Sequence, residues 1–161
     1  MTTPKEHLIH WLKDAHAMEQ QAESMLRAQS ERLEDYQVLQ TRVVQHIEET
    51  RGQRAQLEEC LRSLGEEPSS VKDTMGKMMA MAQSLGGMMA SDEPVKSAMA
   101  GYVFEQGEIS SYVALISAAE AAGESQVVQV AQEILKQERQ MADWLAGHLP
   151  EVVKTFLSKD R

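Results

Sequence analysis

Acidic side chains stand in four stretches of this sequence at positions that helical spacing assigns to a protein core. Glu19, for example, follows Ala15 and precedes Ala22 and Leu26 at steps of three and four residues. Buried carboxylates that outnumber nearby Lys and Arg repel one another, and divalent cations that accept oxygen ligands remove that repulsion. The pattern therefore predicts a site for two divalent ions, iron or manganese. Its predicted carboxylate ligands are Glu19, Glu49, Glu105, Glu108 and Glu138.

A nitrogen ligand and an amide accompany these carboxylates. His46, Glu49 and Gln53 are three and four residues apart, so they share one helix face. His46 is a predicted metal ligand, and a role in orienting Glu49 or Glu19 is an equally supported alternative. Gln53 fits better as a hydrogen-bond partner of a liganding carboxylate. His16, three residues before Glu19, is expected to be a half-exposed helix residue.

The histidine pattern differs from that of the usual dinuclear site in helix bundles. There, two helices each supply a Glu-x-x-His motif and two others each supply a Glu. In this chain Gly52 stands three residues after Glu49, and Met141 stands three residues after Glu138. The sequence thus predicts a carboxylate-dominated or weaker site. A site that no longer holds metal is one alternative, and carboxylates that face solvent at a shifted helix phase are another.

Two tyrosines, Tyr102 and Tyr112, lie on the same predicted helix as Glu105 and Glu108. Core packing with a satisfied hydroxyl group is the favoured interpretation of both. Hydrogen bonding or electron relay beside the site is the alternative.

Four long amphipathic helices are the elements that must position these residues. Apolar residues recur at steps of three and four, and strand-like alternation is nearly absent, so the predicted fold class is all-α. Pro4 suits a first helical turn, Asp35 is a predicted cap for the second helix, and Gly65 ends that helix. Pro150 predicts the end of the fourth helix, with one or two further turns over 151–157. The predicted helices cover residues 4–33, 36–64, 94–122 and 125–148.

The lengths of the links arrange these helices. The first and second helices, and the third and fourth, are joined by about two or three residues and therefore lie antiparallel. The link over 65–93 is long enough to return along the whole bundle, and its 69–84 part is predicted to be a short helix. This order of links predicts a ferritin-like four-helix bundle, up-down-down-up with one long crossover. At about 1.5 Å per residue, the acidic side chains then lie within about one turn of a common level.

Composition sets further limits on function. The chain of 161 residues fits a single domain over 1–161, and 16 Lys and Arg against 25 Asp and Glu leave a net charge of −9. That balance argues against nucleic acid as a partner. Cys60 is the only cysteine, which excludes an intrachain disulfide and a zinc site built from thiolates. Because apolar runs are short and the N-terminal residues are polar, a cytoplasmic protein without a membrane partner is expected.

Four segments in order along the chain combine these features. They are WLKDAHAME (11–19), HIEETRGQ (46–53), GYVFEQGEI (101–109) and ERQMADWL (138–145). With them the chain resembles the YciE/YciF family of ferritin-like proteins, most closely the YciE branch, over essentially its whole length. The resemblance implies a ferritin-like bundle that forms a homodimer, has a dinuclear metal site and takes part in bacterial stress responses. It implies no established enzymatic activity.

Two functions from different classes follow from these observations. In the first, a dinuclear iron or manganese centre reacts with oxygen or peroxide, as analogy with related bundles implies. Glu19 and either Glu105 or Glu108 are then single-carboxylate ligands. In the same hypothesis Glu49 and Glu138 bridge the ions, and no residue is assigned as a general acid or base, so whether the protein is an enzyme is left open. In the second, a metal-free helical homodimer has a structural or partner-binding role in stress, with contacts from its Met-rich crossover. Iron storage is a third and less favoured hypothesis, because it would need a closed shell of many subunits.

Overall fold

A computed structural model describes residues 1–68 and 94–159 of the chain. Within those residues the regular elements are four long helices, which confirms the predicted all-α fold class. They are α1 (Pro4–Ser30), α2 (Gln37–Ser63), α3 (Pro94–Ala122) and α4 (Ser125–Lys159). The predicted crossover helix over 69–84, with its methionines, lies outside the described residues.

Local signals set several helix ends. Thr3 caps α1: its hydroxyl oxygen accepts a hydrogen bond from the Glu6 N–H at 3.2 Å, and the Glu6 carboxylate accepts one from the Thr3 N–H at 2.6 Å. Pro4, which has no N–H to satisfy, takes the first helical position. Gly65 and Gly123 follow α2 and α3 with φ angles of 80° and 72°, which glycine adopts at little cost. The predicted end of the second helix at Gly65 is therefore confirmed.

Ion pairs between helix ends show the topology. Lys5 lies 3.7 Å from Glu124, so the start of α1 meets the end of α3. Lys159 lies 2.9 Å from Asp35, so the end of α4 meets the start of α2. The short links make α1 and α2, and likewise α3 and α4, antiparallel. These four antiparallel pairs form the sides of the bundle, which is the predicted up-down-down-up arrangement.

Two apolar clusters fill the two ends of the bundle. The first contains Leu8, Leu12, Leu57, Leu61, Leu115, Ala131 and Ile134, among others. The second contains Leu33, Leu39, Val43, Met141, Leu145 and Val152, among others. On α4, Glu138 falls between the two clusters, after Leu135 of the first and before Met141 of the second. We call the buried set Glu19, His46, Glu105, Glu108 and Glu138 the polar layer.

The fourth helix differs from the prediction, because α4 continues through Pro150 to Lys159 instead of ending at 148. A proline inside a helix removes one hydrogen bond at a cost of about 3 kcal/mol. Tertiary packing offsets that cost: Val152 is buried in the second cluster, and the Lys159 ammonium lies 4.7 Å from the centre of the Tyr36 ring. Asp35 is consequently an ion-pair partner of Lys159, not the predicted cap of α2, whose cap position is Tyr36.

Two smaller differences concern helix ends. The first helix ends three residues earlier than predicted, at Ser30, and the second covers 37–63 instead of 36–64. Such offsets are usual because helix ends fray and carry weak sequence signals. Among the described residues, none of the helices combines the length and the apolar run that a membrane span requires.

Candidate metal centre

Four buried residues from three helices converge in the middle of the bundle. His46 comes from α2, Glu105 and Glu108 come from α3, and Glu138 comes from α4. One nitrogen or oxygen atom from each residue lies within 4.8 Å of those from the others. We call these residues the buried group. Their relative exposure is between 0% and 3%, so water does not solvate the charges that they can carry.

The α-helical repeat explains this convergence. Glu105 and Glu108 are three residues apart and both face inward on α3, together with the buried Tyr112. Glu138 follows the buried Ile134 by four residues, so it lies on the apolar face of α4, at the same level of the bundle as Glu105 and Glu108. The predicted inward orientation of these three carboxylates is what the structure shows, and a solvent-facing phase is wrong for them.

His46, a member of the buried group, also contacts Glu49 outside the group. Its Nε2 atom is 2.9 Å from Glu105 Oε1 and 3.6 Å from Glu138 Oε2. Its Nδ1 atom is 2.7 Å from Glu49 Oε2. Glu49 is 20% exposed and also lies 3.5 Å from Arg42 Nη1, so it stands outside the buried group. Glu49 therefore orients the His46 ring, whereas the alternative offered by the sequence was that His46 orients Glu49 or Glu19.

Glu19 is completely buried and lies beside the group without belonging to it. Its Oε1 atom accepts a hydrogen bond from the Tyr112 hydroxyl group. Tyr112 is thus a hydrogen-bond donor beside the site, the alternative role that the sequence offered, while Tyr102 is 36% exposed. Because 93 residues separate Tyr112 from Glu19, their contact depends on how α1 packs against α3.

Burial and mutual repulsion control the protonation of the group. Burial and the neighbouring carboxylates raise the pKa of Glu19 and of Glu108 well above the ordinary value. Burial, together with a hydrogen bond shared with Glu138, raises the pKa of Glu105 to about 8. Without a bound cation, burial therefore favours the protonated form of these three carboxyl groups.

Glu138 and His46 carry the charges of this layer. Burial alone would raise the pKa of Glu138, but the adjacent Glu105 carboxyl group and the His46 imidazolium outweigh it and lower that pKa to about 2. Burial alone would lower the pKa of His46, but the neighbouring carboxylates of Glu105, Glu138 and Glu49 raise it to about 12. The metal-free layer is thus a carboxylate–imidazolium pair surrounded by protonated carboxyl groups.

Six buried carboxylate oxygens have no hydrogen-bond donor among the described residues when the groups are ionised. They are Glu19 Oε2, Glu105 Oε2, both oxygens of Glu108 and both oxygens of Glu138. Buried oxygens without donors are costly unless a proton or a cation occupies their lone pairs. Carboxylate oxygens together with one imidazole nitrogen are a ligand set that suits iron and manganese. The residues present therefore fit a divalent metal ion.

Other predicted neighbours of the site have different partners. Gln53 donates to Gln137 Oε1 at 3.0 Å and does not contact the buried group through a hydrogen bond. His16 is 2% exposed, not half-exposed as expected, because α2 covers it and places Glu58 2.9 Å from its Nε2 atom. Thr50, one turn after His46 on the same helix face, is buried. Gln137, the partner of Gln53, was missed by the sequence interpretation, because it directly precedes Glu138 and does not share its helix face.

The fold and the site together define a class of protein. An up-down-down-up bundle of four helices with buried carboxylates and a histidine at mid-height is a ferritin-like bundle. A family model described as "Domain of unknown function (DUF892)" matches residues 3–158. The chain belongs to this family, and the predicted membership of the YciE/YciF family is confirmed.

Three solved structures resemble this chain over nearly its whole length. A protein of Xanthomonas campestris pv. campestris is 39% identical, with a TM-score of 0.84, over 98% of this chain and 97% of that one. YcfI of Rhodopseudomonas palustris, described as a candidate structural protein, is 26% identical, with a TM-score of 0.73, over 89% and 93%. The E. coli stress protein YciF is 22% identical, with a TM-score of 0.81, over 96% and 99%, and supports the fold.

Proposed function

We propose that this protein binds two iron or manganese ions in its polar layer and that the loaded centre reacts with oxygen or peroxide. The observation that carries the proposal is the convergence of His46, Glu105, Glu108 and Glu138 within 4.8 Å, with six buried carboxylate oxygens that lack donors. Ionisable groups that cannot all be charged in a buried site are a feature of functional centres. A metal pair would replace the protons that these groups otherwise hold.

Each member of the layer has a role in this proposal. His46, Glu105, Glu108 and Glu138 would hold the first ion, and Glu19 would supply a carboxylate to the second. A bound pair of such ions supplies one-electron oxidation steps at each metal. The chain itself fixes the ligands: the Tyr112 hydroxyl holds Glu19, and Glu49 holds the His46 ring. The two apolar clusters on either side exclude water from the layer.

Metal content tests the proposal directly. Protein purified without chelator and loaded anaerobically with Fe²⁺ or Mn²⁺ should retain about two ions per chain, measured by plasma mass spectrometry after desalting. Glu138→Gln, which keeps the shape of the side chain and removes its charge, should reduce retention to below about half an ion. Glu133→Gln, at an exposed position of the same helix, is the matched control and should bind like the wild type. Retention near zero in the wild-type protein would sink the proposal.

A second candidate function is a structural role as a homodimer, and the outer face of α3 favours it. All exposed residues of α3 between Lys96 and Glu120 are uncharged. They are Met99, Tyr102, Val103, Gln106, Gly107, Ser110, Val113, Ala114 and Ser117. A chain with a net charge of −9 repels its own copies, so an uncharged face is the surface on which two copies can meet. We propose this face as the homodimer contact, compatible with either function.

Sedimentation velocity tests the dimer. We expect a dimer for the wild-type protein and a shift to monomer, by at least tenfold in dissociation constant, for Val103→Glu, because two carboxylates would face each other across the contact. Val44→Glu on α2 is the control, since Val44 is similarly exposed at 48% against 43% for Val103. Equal dissociation constants for both variants would place the contact elsewhere.

A cellular role and a compartment complete the proposal for this protein. YciF of E. coli is described as a stress protein, and we propose a stress-associated role for this chain. We also propose the cytoplasm as its compartment, because its one cysteine, Cys60, is buried and unpaired. Burial raises the pKa of the Cys60 thiol to about 11, so this cysteine is an inert core residue.

A further inference from the structure

A cavity of about 380 Å³ lies between α1 and α3 and reaches the buried group. Glu105 belongs both to that group and to the lining of the cavity. Most other lining residues are small or apolar. They include Ala22, Met25, Leu26, Ala28, Ala100, Gly101 and Phe104. The cavity therefore offers a ligand an apolar surface directly beside a candidate metal ligand.

The size of the cavity exceeds what dioxygen or hydrogen peroxide requires. An apolar cavity of about 150 Å³ is enough to hold benzene, and a water-sized molecule occupies about 30 Å³. Sites for organic ligands begin at about 300 Å³. The cavity between α1 and α3 thus fits an organic molecule of about ten heavy atoms.

The polarity of the lining limits the chemistry of that molecule. The Nε2 atom of Gln29 is buried and has no hydrogen-bond acceptor among the described residues, so it is available to donate to an oxygen of a ligand. Among the described residues that line the cavity, the one cationic residue, Arg32, already has an interaction partner within the protein, and the mostly apolar walls do not compensate a ligand charge. The best fit is an uncharged, mainly apolar molecule with an oxygen acceptor at one end.

We propose that this cavity binds an organic hydroperoxide and delivers its oxygen atoms to the polar layer. The redox part rests on the proposed metal-dependent function, whereas the binding part does not need the metal. In the reaction, the O–O bond of the hydroperoxide breaks. Two divalent ions held by the polar layer, as proposed above, would supply the two electrons, one from each ion. With two protons from solvent, the products are one alcohol and one water molecule.

Binding of the alcohol product to metal-free protein tests the cavity. The probe is 2-phenyl-2-propanol, the alcohol formed from cumene hydroperoxide, and the readout is a titration followed by NMR chemical shifts. We expect saturable binding that Ala28→Phe weakens at least tenfold, because Ala28 lines the cavity from an exposed position that a larger ring can fill. Gln29→Leu should weaken it several-fold through loss of the amide donor.

The control and the metal-loaded protein separate the possible failures. Ala55→Phe, at an exposed position of α2 away from the cavity lining, should leave the affinity unchanged. Absence of saturable binding in the wild type, or equal binding by Ala28→Phe, would overturn the inference even if the protein retains metal. If the alcohol binds but the protein retains no metal, the ligand site stands and the hydroperoxide reaction is wrong.

The rate of metal oxidation tests the substrate class. With metal present, cumene hydroperoxide should oxidise Fe²⁺ at least tenfold faster than hydrogen peroxide does, and Ala28→Phe should abolish that preference. Equal rates for the two oxidants would overturn the assigned substrate class.

Discussion

Metal-free protein is expected to melt at progressively lower temperatures as the pH rises from about 5 to about 8, and saturating Mn²⁺ is expected to remove that trend. At pH 8 the ion should raise the melting temperature by about 5–10 °C. This range follows from about 2.7 kcal/mol of stabilisation at a hundredfold excess over the dissociation constant. For a chain of this size, each kcal/mol corresponds to about 2–4 °C.

The direction of the pH effect follows from the protons of the polar layer. The pKa of Glu105 is raised to about 8 in the folded protein, so its contribution to stability is complete below the unfolded value of 4.5 and is lost as the pH rises through 8. The pKa of His46 is raised to about 12, so its contribution is complete below 6.5 and declines above it. Glu138, with a pKa lowered to about 2, contributes above 4.5 and loses its contribution only in acid. Between pH 5 and 8 the raised pKa values of Glu105 and His46, together with those of Glu19 and Glu108, therefore make the free energy of unfolding fall as the pH rises.

Circular dichroism melts at several pH values, with a chelator or with Mn²⁺, measure this effect. The bound ion replaces the protons, so the folded state no longer loses stability when they dissociate. Glu138→Gln should show no response to Mn²⁺ at any pH, because the charged centre of the layer is gone. Parallel curves with and without the ion in the wild-type protein would contradict metal binding in this layer.

The second large effect is expected from Glu108→Met, which should stabilise the metal-free protein and weaken metal binding at the same time. Both oxygens of Glu108 lack donors, and the side chain is 1% exposed. A buried polar group without a hydrogen-bond donor costs about 1–3 kcal/mol, and an apolar side chain of similar size removes that cost. The melting temperature of metal-free protein should then rise by about 2–12 °C.

The effect of Glu108→Met on the affinity for metal shows whether Glu108 is a metal ligand. Loss of one of the oxygen ligands should raise the dissociation constant for Mn²⁺ at least tenfold, measured by isothermal titration calorimetry. Glu120→Met, at an exposed position of α3, is the matched control and should change stability by less than about 0.5 kcal/mol. A Glu108→Met protein that is more stable and still binds metal normally would show that Glu108 is not a ligand. One that is less stable would show that the carboxyl group has partners that support the fold.

The helices and the level of the site could be predicted because they depend on local signals. Helix spacing alone placed Glu105, Glu108 and Glu138 on inward faces, and the short and long links implied the order of the helices. The continuation of α4 past Pro150 could not be predicted, since it depends on the packing of Val152 and on an ion pair with Asp35, more than 100 residues away in the chain.

The roles of His46 and Glu49 are a second feature that could not be predicted from the sequence. Residues three apart on a helix share a face, so spacing does not reveal which of the two points further inward. The answer depends on Arg42, which holds Glu49 near the surface, and on Glu105 and Glu138, which face His46 from other helices. The hydrogen bond between Tyr112 and Glu19 has the same origin, because it connects α3 to α1.

The polar layer within the apolar core also determines how the helices align during folding. If one helix slid along its neighbour by one turn, about 5.4 Å, a carboxylate would enter an apolar cluster and lose its partners. A bundle with an uninterrupted apolar core has no comparable penalty against such slippage, since one leucine can replace another at the contact. Glu138, which faces residues of both α2 and α3, makes misaligned bundles unfavourable before any metal is bound. The same residues that lower the stability of the metal-free protein thus select a single alignment of its four helices.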